Sequence, residues 1–221
     1  MAPVDHAPRS SAAREPVSDP ADNVAVMIDT LAPAPALRSA RLLLTPLTHA
    51  DADAVHAIFA DARTWQHLPS GRHTDVEQTL AMIERSLTSL AEYGCGTWSM
   101  RLADDGPDGP VIGVGGVTWS SAGCWNLGYR LASEAWGKGL ATEVARAGIV
   151  HARRAEPDAP VTARVLSTNP ASARVLDHVG LTQVWRGVPR DRTLEVPDVE
   201  RLVFSDRRLR PETLDGLIAL G

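Results

Sequence analysis

Residues Trp136 to Thr142 read W-G-K-G-L-A-T and open a helical pattern. Glycines on either side of Lys138 permit positive φ and let a ligand lie close to the backbone. A turn of this kind at a helix start directs unpaired N–H groups outward, at the positive end of the helix dipole. That arrangement suits a pyrophosphate. The pattern is not the nucleotide P-loop, because Gly139 rather than Ser or Thr follows Lys138. Nor is it the dinucleotide fingerprint, which needs G-x-G-x-x-G and a later acidic residue.

The chain is long enough to bury a full core beside that loop, with 221 residues, 44% hydrophobic and 22% charged. A formal charge of −5 argues against nucleic acid as a partner and tolerates an amine. No apolar run approaches the ~18 residues of a membrane span. Cys95 and Cys124 cannot build a disulfide framework, and no Cys/His spacing marks a metal site. A cytoplasmic setting without a metal is therefore expected. Residues 1–36 are rich in proline and alanine and contain no aromatic residue, so this tail is expected to be disordered or arm-like. Its exception, Val24 to Ile28, reads either as a docking arm or as a leader or purification scar.

From Leu42 the pattern becomes regular. Leu42 to Leu47 reads as a strand, followed by Thr48 and Asp51 as a capping pair and a helix with Val55, Ile58, Phe59 and Ala62 on one face. Thr74 and Glu77 form the capping box expected for a second helix, whose face is Leu80, Ile83, Leu87 and Leu90 and whose stop is Gly94. Strands are expected at 97–102, 111–119 and 125–131, the first two separated by the turn-rich D-D-G-P-D-G-P. Gly113, Gly115 and Gly116 in the second of these mark a bulge or a close backbone neighbour. A helix then runs to about Arg154, with small residues where it meets a sheet. A strand at 161–166, a short helix from Pro170 closed by Gly180, and strands at 181–188 and 199–204 complete the order. A short helix is expected near Leu214 to Leu220. One domain is read over 37–208, with 209–221 as a C-terminal extension.

The loop resembles the acyl-CoA loop (Q/R)-x-x-G-x-(G/A) of the GCN5-related N-acetyltransferases (GNAT), here Trp136-x-x-Gly139-x-Ala141. W-G-K-G is similar to the branch that acetylates ribosomal-protein N-termini, the RimJ/RimL-like enzymes. G-Y-R-L before the loop, N-P-A-S-A-R after the next strand and H-V-G-L closing the short helix extend the likeness over Leu37 to Asp206. It implies an α/β (α+β) fold: a mixed, mostly antiparallel, twisted sheet of about seven strands flanked by helices and splayed in the middle for acyl-CoA.

The resemblance also implies roles. The backbone at Arg130 and Leu131 is expected to bond the pantetheine arm, and amides of Gly137, Lys138, Gly139, Leu140, Ala141 and Thr142 to hold the pyrophosphate. Asn169 is expected at the pantetheine and Arg174 at the 3′-phosphate. The backbone N–H near Leu131 would polarise the acetyl carbonyl. Many members protonate the thiolate with a tyrosine at the position of Leu176; here Ser172 is the candidate acid. Relatives often carry a glutamate where Asn126 stands, so no base is evident at that catalytic position. His67 and His73, with Glu77, are candidates to shape or serve the acceptor site, and Trp119 and Trp125 to line it.

These readings describe direct transfer of an acetyl group from acetyl-CoA, in a ternary complex, to a protein N-terminus, an antibiotic or another small amine. A homodimer is compatible. The alternatives are a non-catalytic acyl-CoA-binding module, or an enzyme using a longer acyl-CoA with room made by the glycines of the second strand.

Overall fold

The computed structural model describes residues 36–66, 71–188 and 199–220. The proposed arm at 24–28 and His67 lie outside them. Eight strands form one sheet in the order β1-β2-β3-β4-β5-β6-β8-β7. β1 (Leu37–Arg38), β2 (Leu42–Pro46), β3 (Thr97–Leu102), β4 (Gly113–Ser120) and β5 (Cys124–Leu131) form an antiparallel half. β6 (Val161–Leu166), β7 (Thr182–Gly187) and β8 (Arg201–Ser205) form the other, also antiparallel. The halves join through the parallel β5–β6 contact, at only two register pairs, Trp125 with Val161 and Asn126 with Thr162. Beyond Asn126 the two strands part.

The sheet exceeds the sequence reading by β1, whose two residues are too few to show periodicity. It is carried by a Ser39 turn in which the Ser39 amide donates to the Leu42 carbonyl at 2.9 Å. Between β2 and β3 come α1 (Ala52–Ala60), the one-turn α2 (Ala62–Trp65) and α3 (Val76–Tyr93). The predicted Thr48–Asp51 pair is present: the Asp51 carboxylate accepts from both the Thr48 amide and its hydroxyl. Thr74 and Glu77 do not cap α3. Asp75 is its N-cap and accepts from the Gln78 amide at 3.0 Å, while the Gln78 side chain accepts from the Thr74 amide. Thr-x-x-Glu and Asp-x-x-Gln lie one residue apart in this sequence, and the extended Asp75 backbone selects the second frame. Gly94 closes α3 in the left-handed conformation, as predicted.

Each sheet face has its own cover. α4 (Leu140–Ala155) and α5 (Pro170–His178) pack on the face of Trp125, Leu127, Val161, Ala163 and Phe204. Small residues let α4 approach: a side chain at Gly148 would meet Leu127 at 3.2 Å, and Ala145 and Ala152 are fully buried. On the opposite face, α1 and α3 enclose Leu47, Val55, Ile58, Phe59 and Ile83 over Val114. The terminal helix α6 (Pro211–Ala219) sits there too, with Leu217 against Cys124 and Val203.

Gly113 and Gly115 of β4 do not make room for a longer acyl chain. A side chain at Gly115 would lie 2.9 Å from Val144 of α4, and one at Gly113 would lie 2.7 Å from the Arg130 carbonyl. Their space is filled by a helix and by the neighbouring strand.

Candidate active site

The parting of β5 and β6 opens a cleft of about 800 Å³ through the sheet. Its wall includes residues 126–131 of β5, 163–166 of β6, the loop at Trp136, Gly137 and Gly139, and the first turns of α4 and α5. The loop places Gly137 and Gly139 at φ 72° and 75°, a region that L side chains rarely occupy. Gly139 is the N-cap of α4, and no side chain caps that helix. The amides of Leu140, Ala141 and Thr142 precede the first intrahelical donor, Glu143, which bonds the Gly139 carbonyl. They are left without an intrahelical acceptor. Lys138 is exposed and does not line the cleft; its carbonyl accepts from Arg41.

Register decides which backbone groups face the gap. The Trp125 amide bonds Pro160 beside β6, whereas the Ala132 amide bonds Ile112 beside β4. Alternation therefore keeps the Leu127 amide in the ladder with Thr162, turns those of Tyr129 and Leu131 toward the gap, and turns that of Arg130 toward β4. Expecting backbone bonds from both Arg130 and Leu131 is thus half corrected. The Leu131 amide lies on the gap side, whereas Arg130 borders the cleft with its amide turned to β4. The Leu131 carbonyl is already held by Trp136 Nε1 at 2.9 Å, which leaves its amide as the group on offer.

At the first turn of α5, the Asn169 side chain accepts from the Ser172 amide at 3.0 Å and Pro170 takes the first helical position. Asn169 and Ser172 both line the cleft. Leu176, at the family's tyrosine position, is buried and lines it as well. Arg174 is exposed and absent from the wall. The sequence reading missed Tyr129, whose hydroxyl donates to the Ser172 carbonyl at 3.2 Å. Burial raises its pKa to about 12, against a smaller lowering effect of the Ser172 side chain, so the phenol stays protonated at neutral pH. The Gly-Tyr of G-Y-R-L was the available signal.

A second hollow of about 220 Å³ lies on the α1/α3 face. Phe59 and Met82 stand over Val114, Gly116, Thr118, Asn126, Gly128, Tyr129 and Arg130, and the last four of these residues are shared with the large cleft. The two hollows thus meet at Asn126, Gly128, Tyr129 and Arg130. Gly128 has no heavy atom nearer than 4.0 Å to where a side chain would begin, so the passage there is open.

The tryptophans predicted to line an acceptor pocket do not. Trp125 is wholly buried in the α4/α5 core and Trp119 packs against it at 4.9 Å; neither borders either hollow. Alternation put Trp125 on the covered face, opposite Asn126. His73 stacks on Phe59 at 4.3 Å and shares a hydrogen bond with the Thr79 hydroxyl at 2.8 Å. Burial, reinforced by the Arg130 charge, lowers its pKa to about 4. A ring so reluctant to take a proton does not suit the role of general base expected of it. No Asp or Glu borders either hollow among the described residues, Glu77 included.

No group of three or more metal-ligating side chains occurs among the described residues, and no described helix is long and apolar enough to cross a membrane.

Comparison with known proteins agrees with this geometry. The model of the acetyltransferase (GNAT) domain matches residues 41–182. The uncharacterized N-acetyltransferase YoaA of Bacillus subtilis is 25% identical over 146 residues, covering 66% of this chain and 82% of its own. A crystal structure of an acetyltransferase from Agrobacterium tumefaciens superposes with a TM-score of 0.62 at 25% identity, covering 82% of this chain and 99% of that one. The ribosomal L7/L12 α-N-protein acetyltransferase RimL, solved with coenzyme A, superposes with a TM-score of 0.61 at 16% identity over 76% of this chain and 94% of its own.

Proposed function

Because the chain belongs to the GNAT acetyltransferase family, we propose that it moves an acetyl group from acetyl-CoA to a primary amine by direct transfer in a ternary complex. The observation that carries this reading is the continuity of three features: the uncapped α4 N-terminus, the unpaired edge of β5 and a passage to the opposite sheet face. In this reading the amides of residues 137–142 hold the pyrophosphate. Pantetheine lies along β5 as an added strand, bonded by the gap-facing amides. The donor carbonyl then reaches the Leu131 amide, which stabilises negative charge on its oxygen.

The amine nitrogen enters from the α1/α3 face past Asn126 and Gly128. It attacks the thioester carbonyl; a C–N bond forms, the C–S bond breaks, the thiolate takes a proton from a hydroxyl, and the surplus proton on the new amide nitrogen is passed back to restore that hydroxyl. Two hydroxyls are available for that proton, Ser172 Oγ and the Tyr129 phenol, and each borders the cleft. With no carboxylate in the wall among the described residues, the ammonium loses its own proton to water before attack. Asn126 takes part by hydrogen-bonding the amine, not by accepting its proton.

Calorimetric titration with acetyl-CoA, succinyl-CoA and free CoA tests the reading, followed by thiol release with an amine panel. Micromolar binding of acetyl-CoA with amine-dependent release supports it. Binding without release under any amine, at any pH, would convert it to a CoA-binding module.

A further inference from the structure

Arg130, Arg164 and Arg201 lie on one face of the sheet. Asn126 pairs with Thr162, so continuing that parallel register sets Arg164 level with Gly128 and Leu166 level with Arg130. Leu166 in turn pairs with Arg201 across β6–β8. All three arginines border the large cleft, and their face is the one covered by α1, α3 and α6, away from α4 and its anion-binding turn.

Two of them, Arg130 and Arg201, have few partners among the described residues. Arg201 is 8% exposed, and its Nη1 is buried with no hydrogen-bond partner. Arg130 donates to the Gly71 carbonyl and lies 4.2 Å over the Phe59 ring. Arg164 donates to the Leu220 carbonyl at 3.2 Å and adds positive charge at Arg201. Neither Arg130 nor Arg201 has a carboxylate neighbour among the described residues. Burial, and for Arg201 also the nearby Arg164, lowers both pKa values to about 10, well above neutrality. The guanidinium groups therefore remain cationic.

A buried cation with no counter-charge among the described residues is costly, and a cleft bordered by two of them, Arg130 and Arg201, is a place for an anion. The CoA phosphates do not fill it in the reading above, since their cradle is on the α4 side. We infer that the acceptor amine carries an oxyanion, a carboxylate or a phosphate group, on the same small molecule, and that Arg201 and Arg130 bind it where the gap opens toward the α1/α3 face. The guanidinium fork matches either oxyanion in two-point geometry. The inference rests on the proposed transferase function and names its substrate class.

The test compares matched acceptors: free α-amino acids, their α-amides, and aminoalkyl phosphonates, with thiol release as the readout. The free acids or the phosphonates are expected to exceed the amides in kcat/KM by roughly 10- to 100-fold, the scale of a charge-assisted bidentate contact. Whichever of the two leads identifies the oxyanion. Arg201→Met should abolish that preference by raising KM for the anionic acceptor, leave acetyl-CoA affinity unchanged by calorimetry, and leave the amides as slow as before. Arg201→Lys should recover part of it. Arg130→Met, less buried, supplies the same comparison if Arg201→Met does not fold. Equal use of acids and amides, or of neutral peptide N-termini, overturns the inference while the transferase reading stands. So does a loss of acetyl-CoA affinity in Arg201→Met, which would assign the arginine to the donor. A chain that binds no acetyl-CoA removes the function and the inference together.

Discussion

Arg41 clasps Glu143 across 102 residues of sequence, Nη2 to Oε2 at 2.7 Å, while its Nη1 donates to the Lys138 carbonyl at 2.6 Å. One arginine thus ties the β1–β2 turn to both the glycine loop and the first turn of α4. Glu143 also accepts from the Ser39 hydroxyl and the Arg41 amide. Desolvation raises its pKa, but these donors outweigh that effect and hold it below the ordinary glutamate value. Glu143→Gln is expected to loosen the loop and weaken acetyl-CoA binding about five- to tenfold, an effect of ~1 kcal/mol, shrinking with added salt because Arg41 is half exposed. Calorimetry at low and high ionic strength would check both statements; unchanged affinity would make the clasp purely a stabiliser of β1.

Gly139 separates conformational from electrostatic effects in the same loop. At φ 75° an alanine costs about 1–2 kcal/mol of backbone strain, with the Arg41 Nη2 at 3.5 Å from the added carbon. Gly139→Ala should therefore lower stability modestly and weaken CoA by about tenfold. Gly139→Glu adds a negative charge at the cradle and should weaken CoA by more than 100-fold while the far-ultraviolet circular dichroism stays native. Native affinity in the glutamate variant would show that the phosphates lie elsewhere.

Ser172 and Tyr129 offer competing hydroxyls for the leaving thiolate. If Ser172 is the acid, Ser172→Ala should reduce kcat by roughly 10²-fold with little change in acetyl-CoA affinity, and Tyr129→Phe should cost less than tenfold. The reverse ranking would assign the proton to the phenol and leave Ser172 as the residue whose backbone positions it. Single-turnover acetylation gives the comparison without interference from product release.

His73 makes a pH prediction. Its folded pKa, about 4, lies below the ordinary value of 6.5, so the unfolded chain binds the proton first as pH falls. The stability gained by keeping the ring neutral is present above pH 6.5 and is lost as pH falls toward about 4. His73→Gln should flatten the stability profile in that window, measured by urea midpoints from pH 7 to 4. An unaltered slope would mean that the ring titrates normally.

Elements with a local signature were legible. Strand β6 begins and ends where its alternation does, and α5 starts at Asn169-Pro170 because one residue caps and the next pre-sets φ. Faces were harder. The alternation of β5 separates Trp125, Leu127, Tyr129 and Leu131 from Asn126, Gly128 and Arg130, but only the packing of α4 says which set is covered. Without that, Trp119 and Trp125 looked like a pocket, whereas they are core, and Arg130 looked like backbone. Arg164 and Arg201 went unnoticed for a related reason: a charge inside V-T-A-R-V-L or ahead of L-V-F-S reads as an outward face until α6 is placed over it. Asn126 borders both hollows, and no strand or helix brings a carboxylate to either of them among the described residues.

The two-pair junction between β5 and β6 leaves β5 from Tyr129 to Leu131 without a strand partner on its gap side among the described residues. In the proposed function the donor supplies that partner, acting as the missing rung between two half-sheets. Its binding free energy then adds directly to the cohesion of the fold, so melting temperature should climb with donor concentration. Turnover inherits an order from the same feature. In that reading the acceptor's floor is the β5 segment that the donor stiffens, so a chain without donor would offer the amine an unfinished surface, and the donor is expected to enter first.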